Sequence, residues 1–371
     1  MKTAYILYEN YLTSDGCRMS LGGIQTYIAN LIPIVQQYGY KVHIYQHSLK
    51  DFDVDWNGLH ISGISQGKTV VEMKKAFKKR LLKEINKDAD LLIFGCESFA
   101  FDSREYKSIA IQHGISWDKP CYHASTKQKI IIGHLRKIKL AWSTIHRVSK
   151  VKMLVCVDYN FVNWYRALTV YPFVRMQVIP NFTQIPPTIP IKPEGKVNII
   201  FARRFYEYRG THIFAEAIKP LLNERNDIAI TIAGEGPDEN YLHSELGGYP
   251  QVSFIKYSSE DSLDIHADKH IAVIPTLGSE GTSLSLLEAM ASGCTVICTN
   301  VGGMTNIVLD HYNGIMINPK AEELNSALRN VLDDDILRNR LAQKAYETAS
   351  MAFSLKNWQQ SWKKIINEIV K

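Results

Sequence analysis

The stretch Ile271–Thr299, IAVIPTLGSEGTSLSLLEAMASGCTVICT, decides how the chain folds. It opens on Ile271–Pro275, a β-rich apolar run of strand length, and closes on another, Thr295–Thr299. Between them the turn Gly278–Ser283 leads into a helical pattern that stops at Gly293. Strand, turn, helix and strand in that order make a parallel βαβ unit. Two carboxylates, Glu280 and Glu288, flank the turn and the first part of the helix. A capping box (Ser285 to Glu288) with a Gly293 C-cap accounts for Glu288. It leaves Glu280 and the Gly281–Ser283 turn without a role.

The same alternation runs through the rest of the sequence. Strand-like runs in the first half are Thr3–Tyr8, Lys41–Gln46, Asp90–Phe94, Ser108–Gln112, Met153–Val157 and Gln177–Ile179. The second half restarts with Val197–Phe201, Ile228–Ala233, Val252–Ile255, Ile271–Pro275, Thr295–Thr299 and Gly314–Ile317. Asn181–Lys196, with four prolines and no periodicity, reads as a linker. The expected architecture is α/β: a Rossmann-like domain over 1–180, the linker 181–196 and a second Rossmann-like domain over 197–352. A cleft is expected between the carboxyl ends of their strands. The last segment, 353–371, is amphipathic through Trp358, Trp362, Ile365, Ile366 and Ile369, and is expected to cross back to the first domain.

With 371 residues, 46% hydrophobic and 22% charged, the chain fits two soluble globular domains. Its six cysteines (Cys17, Cys96, Cys121, Cys156, Cys294, Cys298) form no CxxC pair, which favours reduced thiols over a disulfide frame. No secretory leader is read at the start, and the long uncharged runs carry too many polar residues to cross a bilayer. A cytoplasmic location is therefore expected. The net charge of +6 is unevenly placed. Val71–Lys87 holds seven basic and two acidic residues, and Lys119–Val157 holds nine basic and no acidic ones.

The turn and the helix start after Ile271–Pro275 form a ready anion site, because backbone amides and the helix dipole both favour a phosphate there. Glu280 can accept hydrogen bonds from sugar hydroxyls, and Glu288 can take both hydroxyls of a ribose. Continued to EGTSLSLLEAMASGCTVICTNVGGMTNIVLDHYNGIMINP, the stretch resembles the E-x7-E signature of the retaining GT-B glycosyltransferases of family 4. Gly302, Gly303, Asn313 and Gly314 extend that likeness over about forty residues. Other landmarks of the family follow in order. IIFARRFYEYRGTHIFAEAI resembles its diphosphate-binding segment, with Arg204 at the arginine and Arg209 where the family usually has lysine. Two cations at a diphosphate stabilise charge on the leaving group. Arg203 beside them is read as a solvated residue at a strand end. Gly234-Glu-Gly236-Pro237 resembles the family's turn near the nucleotide. In the first domain, LGGIQTYIANL resembles its glycine loop through Gly22 and Gly23, and SIAIQHGISWD places His113 where the family carries an active-site histidine.

The resemblance implies a GT-B enzyme that moves a hexose-type sugar from a UDP- or GDP-linked donor, with retention, to a glycan or lipid-linked glycan acceptor in cell-surface polysaccharide assembly. It assigns His113, Glu280, Arg204 and Arg209 to catalysis. Donor binding falls to Gly22, Gly23, Gly234, Gly236, Gly281, Thr282, Ser283, Leu284 and Glu288. No cofactor and no metal is expected. The rival readings are a same-fold sugar phosphorylase, a nucleotide-sugar epimerase and a non-catalytic nucleotide-sugar or membrane-surface binding module. Asp51-Phe-Asp53-Val-Asp55 matches a metal-binding D-x-D pattern but is read as a solvated acidic edge. The Asn181-Phe-Thr183 sequon is read as linker. The helical spacing of Phe77, Leu81, Leu82 and Ile85 among lysines, and the basic amphipathic stretch Lys127–Lys152 with Trp142, suit the surface of an anionic membrane. Peripheral attachment at its inner face is expected, and no nucleic acid.

Overall fold

The computed structural model describes residues 2–20, 22–120, 126–171, 173–258 and 260–371. Cys121 therefore lies outside the described residues, as does part of the basic run 119–157. The chain divides into two compact units: Met1–His113 with Ile131–Pro180 and Trp358–Lys371, and Gly114–Ile130 with Asn181–Asn357.

The first unit is built on β1 (Thr3–Leu7), β2 (Lys41–His47), β3 (Phe52–Trp56), β4 (Leu59–Ile64), β5 (Leu91–Phe94), β6 (Lys107–Gln112), β7 (Met153–Cys156) and β8 (Arg175–Val178). Their order is β3-β4-β2-β1-β5-β6-β7-β8. Every pairing is parallel except the β3–β4 hairpin at the edge. That hairpin was not expected. Its turn is Asn57–Gly58, both with positive φ, the two-residue geometry that matches strand twist. The acidic D-x-D run accordingly lies on an edge strand, with Asp51, Asp53 and Asp55 exposed.

The second unit holds β9 (Val197–Ala202), β10 (Ile228–Ala233), β11 (Val252–Ile255), β12 (Ile271–Ile274), β13 (Thr295–Thr299) and β14 (Ile315–Ile317), all parallel, in the order β11-β10-β9-β12-β13-β14. Both faces of this sheet are covered, so its strands read as continuous apolar runs. The alternation along β9 shows how. Ile199 and Phe201 pack among residues of the helices Thr211–Glu224 and Ala321–Asp333. Ile200 and Ala202 pack among residues of Leu284–Ala291 and Asp335–Ala352. Each fully buried Ile or Leu contributes about 1.5–3 kcal/mol.

Three departures from the sequence expectation concern boundaries and faces. Gly114–Ile130 packs with the second unit rather than the first. The linker is docked: Lys192, its pKa lowered by burial, donates to the carbonyls of Ser292 (2.6 Å) and Ala267 (2.9 Å), closing two helix ends. The helix Val70–Leu81 buries Phe77 and Leu81 completely, with Phe77 stacked on Phe99 at 5.5 Å. Its apolar face therefore belongs to the core, and the lipid-facing expectation for Phe77 and Leu81 is corrected. Thr69 and Glu72 cap this helix reciprocally, as an ordinary protein helix is capped.

The helix Leu355–Val370 buries the five expected positions, Trp358, Trp362, Ile365, Ile366 and Ile369, and from Trp358 onward it belongs to the first unit. Trp362 Nε1 donates to the Tyr27 hydroxyl at 2.9 Å. Of the described cysteines, Cys156, Cys294 and Cys298 are buried and none is paired. No helix among the described residues is long and apolar enough to cross a membrane.

Candidate active site

In a doubly wound sheet ligands bind beyond the carboxyl ends of the strands where the order reverses. In the second unit that point lies between β9 and β12. Arg203 follows β9 there, and Thr276 and Glu280 follow β12. Glu280 is buried, and its carboxylate accepts from Arg203 Nη2 at 2.5 Å, from Arg209 Nη1 and from the Thr276 hydroxyl at 3.3 Å. Burial pushes the Glu280 pKa up, but the Arg209 and Arg203 guanidiniums outweigh it and hold the carboxyl below its ordinary range. Burial likewise lowers the Arg203 pKa against the pull of Glu280. One carboxylate between two guanidiniums leaves this trio with a net positive charge, an electrostatic setting for a diphosphate.

Arg203 also donates from Nη1 to the hydroxyls of Ser283 (3.0 Å) and Ser285 (3.2 Å), and from Nη2 to Thr276 (2.8 Å). It is 5% exposed. The reading of Arg203 as a solvated strand-end residue is thus wrong: it is the buried post of the turn. Arg204, the residue assigned to the diphosphate, is exposed, with its guanidinium 6.0 Å from the Tyr206 ring centroid. Adjacent arginines leave no signal in the sequence that tells which one turns inward.

Three further contacts, none assigned from the sequence, fix the turn. The Ser279 N–H donates to Asp118 at 2.6 Å, which holds Ser279 at a φ of 59°. Asn181, read only as part of a sequon, donates to the Thr282 carbonyl at 2.6 Å. The Gly303 N–H donates to the Glu280 carbonyl at 3.0 Å. A Cβ at Gly302 would lie 2.2 Å from that carbonyl oxygen, so the Gly302–Gly303 pair is needed for the approach. Gly281, Thr282 and Ser283 are buried, and Leu284 begins the helix Leu284–Ala291. Across the sheet end, Gly234 lies against Arg203: a Cβ there would stand 2.0 Å from the Arg203 carbonyl oxygen. Gly236 lies against Phe205 in the same way.

The proposed capping box does not form. Ser283, not Ser285, is the N-cap, and no side chain caps the first amides, since both serine hydroxyls accept from Arg203. Gly293 does close the helix, in a left-handed conformation with Cys294 N–H donating to the Ala289 carbonyl, a Schellman end. Glu288 is half-buried. Burial pushes its pKa to about 7, against the opposing pull of a hydrogen bond to Ser262 and of Arg203.

The first unit reverses between β1 and β5. Near those strand ends lie Gly22 and Gly23 at the start of the helix Gly23–Gln37, and His113 just after β6. His113 Nε2 faces the Gly95 carbonyl at 2.9 Å. A carbonyl only accepts, so Nε2 carries the proton and Nδ1 the lone pair. Burial lowers the His113 pKa to about 4, and the ring is neutral near pH 7. Tyr27 stands edge-on to it, ring centroids 5.0 Å apart, and is itself packed against Trp358 at 4.9 Å.

Residues 187–348 match the model of the family "Glycosyl transferases group 1". Over that stretch the chain resembles the group 1 glycosyl transferases. An uncharacterized glycosyltransferase of Methanocaldococcus jannaschii is 23% identical over 275 residues, 72% of this chain and 69% of that protein. Sucrose-phosphate synthase from Thermosynechococcus elongatus superposes with a TM-score of 0.79 at 15% identity, covering 100% of this chain and 99% of that one. Anabaena HepE, solved in complex with UDP-glucose, gives 0.71 at 14% identity over 99% of this chain and 100% of its own. The two parallel-sheet units are those of the GT-B glycosyltransferase fold.

Two outcomes test the site. Arg203→Met takes one of two guanidiniums from a buried carboxylate and leaves three hydroxyls without their donor, and is expected to cost about 3 kcal/mol in urea unfolding. Arg204→Met is expected to stay within about 0.5 kcal/mol, and equal losses would refute the assignment. For Glu288, the folded pKa lies above its ordinary value, so its contribution is fully present below the unfolded pKa and is lost as pH rises through about 7. Glu288→Gln should therefore raise the melting temperature relative to wild type more at about pH 8 than at about pH 5. A pH-independent difference would contradict this.

Proposed function

We propose that the chain is a retaining hexosyltransferase that takes its sugar from a nucleotide diphosphate donor. The observation that carries this reading is the buried Arg203–Glu280–Arg209 trio at the reversal point of the second sheet, beside an uncapped helix start. In this reading Arg209, with Arg204 reaching from the surface, neutralises the diphosphate, and the amides of Gly281–Leu284 cradle it. Glu280 holds the sugar hydroxyls, oriented by Arg203, and Glu288 holds the ribose. The acceptor oxygen attacks the anomeric carbon on the face from which the diphosphate departs. The carbon–oxygen bond to the diphosphate breaks, and a leaving phosphate oxygen takes the acceptor proton. Neutral His113 offers Nδ1 as a hydrogen-bond acceptor to a substrate hydroxyl. No metal enters this scheme. That HepE was solved with UDP and with UDP-glucose supports a uridine-linked donor, with a guanosine-linked one the alternative.

A glycan or lipid-linked glycan acceptor in cell-surface polysaccharide assembly is the proposed recipient. The helix Lys127–Val148 supports work at the inner face of an anionic membrane. It exposes Ile130, Ile131, Ile132, Leu135, Ile138 and Trp142 among six lysines and arginines, with no acidic residue. Each cation near such a surface contributes about 1 kcal/mol.

The donor is tested by thermal shift with UDP-glucose, UDP-N-acetylglucosamine and GDP-mannose, followed by product analysis. A true donor at a hundredfold excess over Kd stabilises by about 2.7 kcal/mol, and Glu280→Gln should abolish turnover. No shift with any nucleotide sugar would overturn the reading. Epimerised donor without acceptor, or a Glu280→Gln protein of full activity, would replace it with one of its rivals. For the membrane, sedimentation with phosphatidylcholine vesicles containing phosphatidylglycerol should pull the protein down at low salt, and Leu135→Glu with Ile138→Glu should release it. Failure to pellet would remove the membrane from the account.

A further inference from the structure

The outer strands of the first unit bring together side chains that the glycosyl transfer does not use. In the parallel β2–β4 pair His43 stands opposite His60, and in the antiparallel β3–β4 pair Asp55 stands opposite His60 and Asp53 opposite Ser62. Alternate residues share a face, so His43, His60, Asp53, Asp55 and Ser62 crowd one patch. One ligand atom from each of His43, His60 and Asp53 lies within 4.8 Å of the other two.

A carboxylate stands near the second nitrogen of each ring. His60 Nδ1 is 3.0 Å from Asp55 Oδ1, which leaves Nε2, 3.8 Å from Asp53 Oδ1. His43 Nδ1 faces Glu84 Oε2 at 3.8 Å, and its Nε2 is joined through the Ser62 hydroxyl to Asp53. Arg80 Nη2 holds Asp53 at 2.8 Å and its Nε faces Glu84 at 3.5 Å, while the Tyr45 hydroxyl donates to Glu84 at 2.7 Å. A carboxylate behind each imidazole and a donor behind the carboxylate is how proteins orient metal ligands.

We propose that His43 Nε2, His60 Nε2 and Asp53 form a binding site for a divalent transition cation of the zinc type. Two imidazoles and a carboxylate suit a borderline ion rather than magnesium, which prefers oxygen. Asp53 and Glu84 share one guanidinium, Arg80, and Asp55 adds a third carboxylate beside His60, so the patch carries the charge that a dication neutralises. The ion takes the place of the Ser62 bridge, and the proton of His43 moves to Nδ1, towards Glu84. Bound there, the ion clips the edge hairpin β3–β4 to β2.

The test uses the full chain, stripped with a chelator and titrated with zinc(II), with magnesium(II) as comparator. One equivalent of zinc should bind and raise the melting temperature, and magnesium should not. His60→Ala and Asp53→Asn, both at the surface, should each weaken zinc at least tenfold, and Asp55→Asn about tenfold. Cobalt(II) should give a visible spectrum without a thiolate charge-transfer band. Absence of one-equivalent binding, wild-type affinity in both His60→Ala and Asp53→Asn, or a thiolate band would each overturn the site. No donor or acceptor sugar enters these measurements, so their outcome is separate from that of the transfer reaction.

Discussion

The second unit depends on one buried charge relation, Glu280 between Arg203 and Arg209. Burying ions is costly, and attraction repays it only when geometry is good and the remaining donors find partners. Here the donors of Arg203 do: Thr276, Ser283 and Ser285 take what Glu280 does not. The sheet end, the turn and the helix Leu284–Ala291 are thereby tied to one guanidinium. Gly302, Gly303, Asp118 and Asn181 hold the same turn from outside through backbone contacts. Rigidity of this kind is what a site needs when charge develops on a ligand, because the dipoles are already aimed.

The first unit meets a different constraint. His113 sits partly buried at its sheet end, with one nitrogen committed to the Gly95 carbonyl. Its orientation rests on ring packing: Tyr27 against it, Trp358 and Trp362 against Tyr27. Burial, more than any charge, sets its protonation state.

Much of this was legible in the sequence, and the rest was hidden for physical reasons. Parallel strands buried on both faces announce themselves as apolar runs, which is why most of the twelve strands fall where they were expected, while the half-exposed β8 begins two residues earlier. The β3–β4 hairpin escaped because its strands alternate polar and apolar residues, although Asn57–Gly58 was a usable turn signal. The glycines of the site were readable by type, but their partners were not, since Gly302 needs its freedom against Glu280, far away in sequence. Asp118 and Asn181 act through long-range bonds to backbone, which leave no local pattern. Arg203 and Arg204 differ by one position and trade places between core and solvent. Phe77 and Leu81 showed amphipathic spacing, and spacing cannot say whether protein or lipid covers the face.

The split of the chain between the units has a consequence for its birth on the ribosome. The first unit needs Trp358–Lys371, which is made after everything assigned to the second unit is complete at Asn357. Synthesis runs at about 5–20 residues per second, and domains tend to fold as they emerge. The second unit can therefore close first, while Tyr27 and the sheet around His113 wait with an apolar face open.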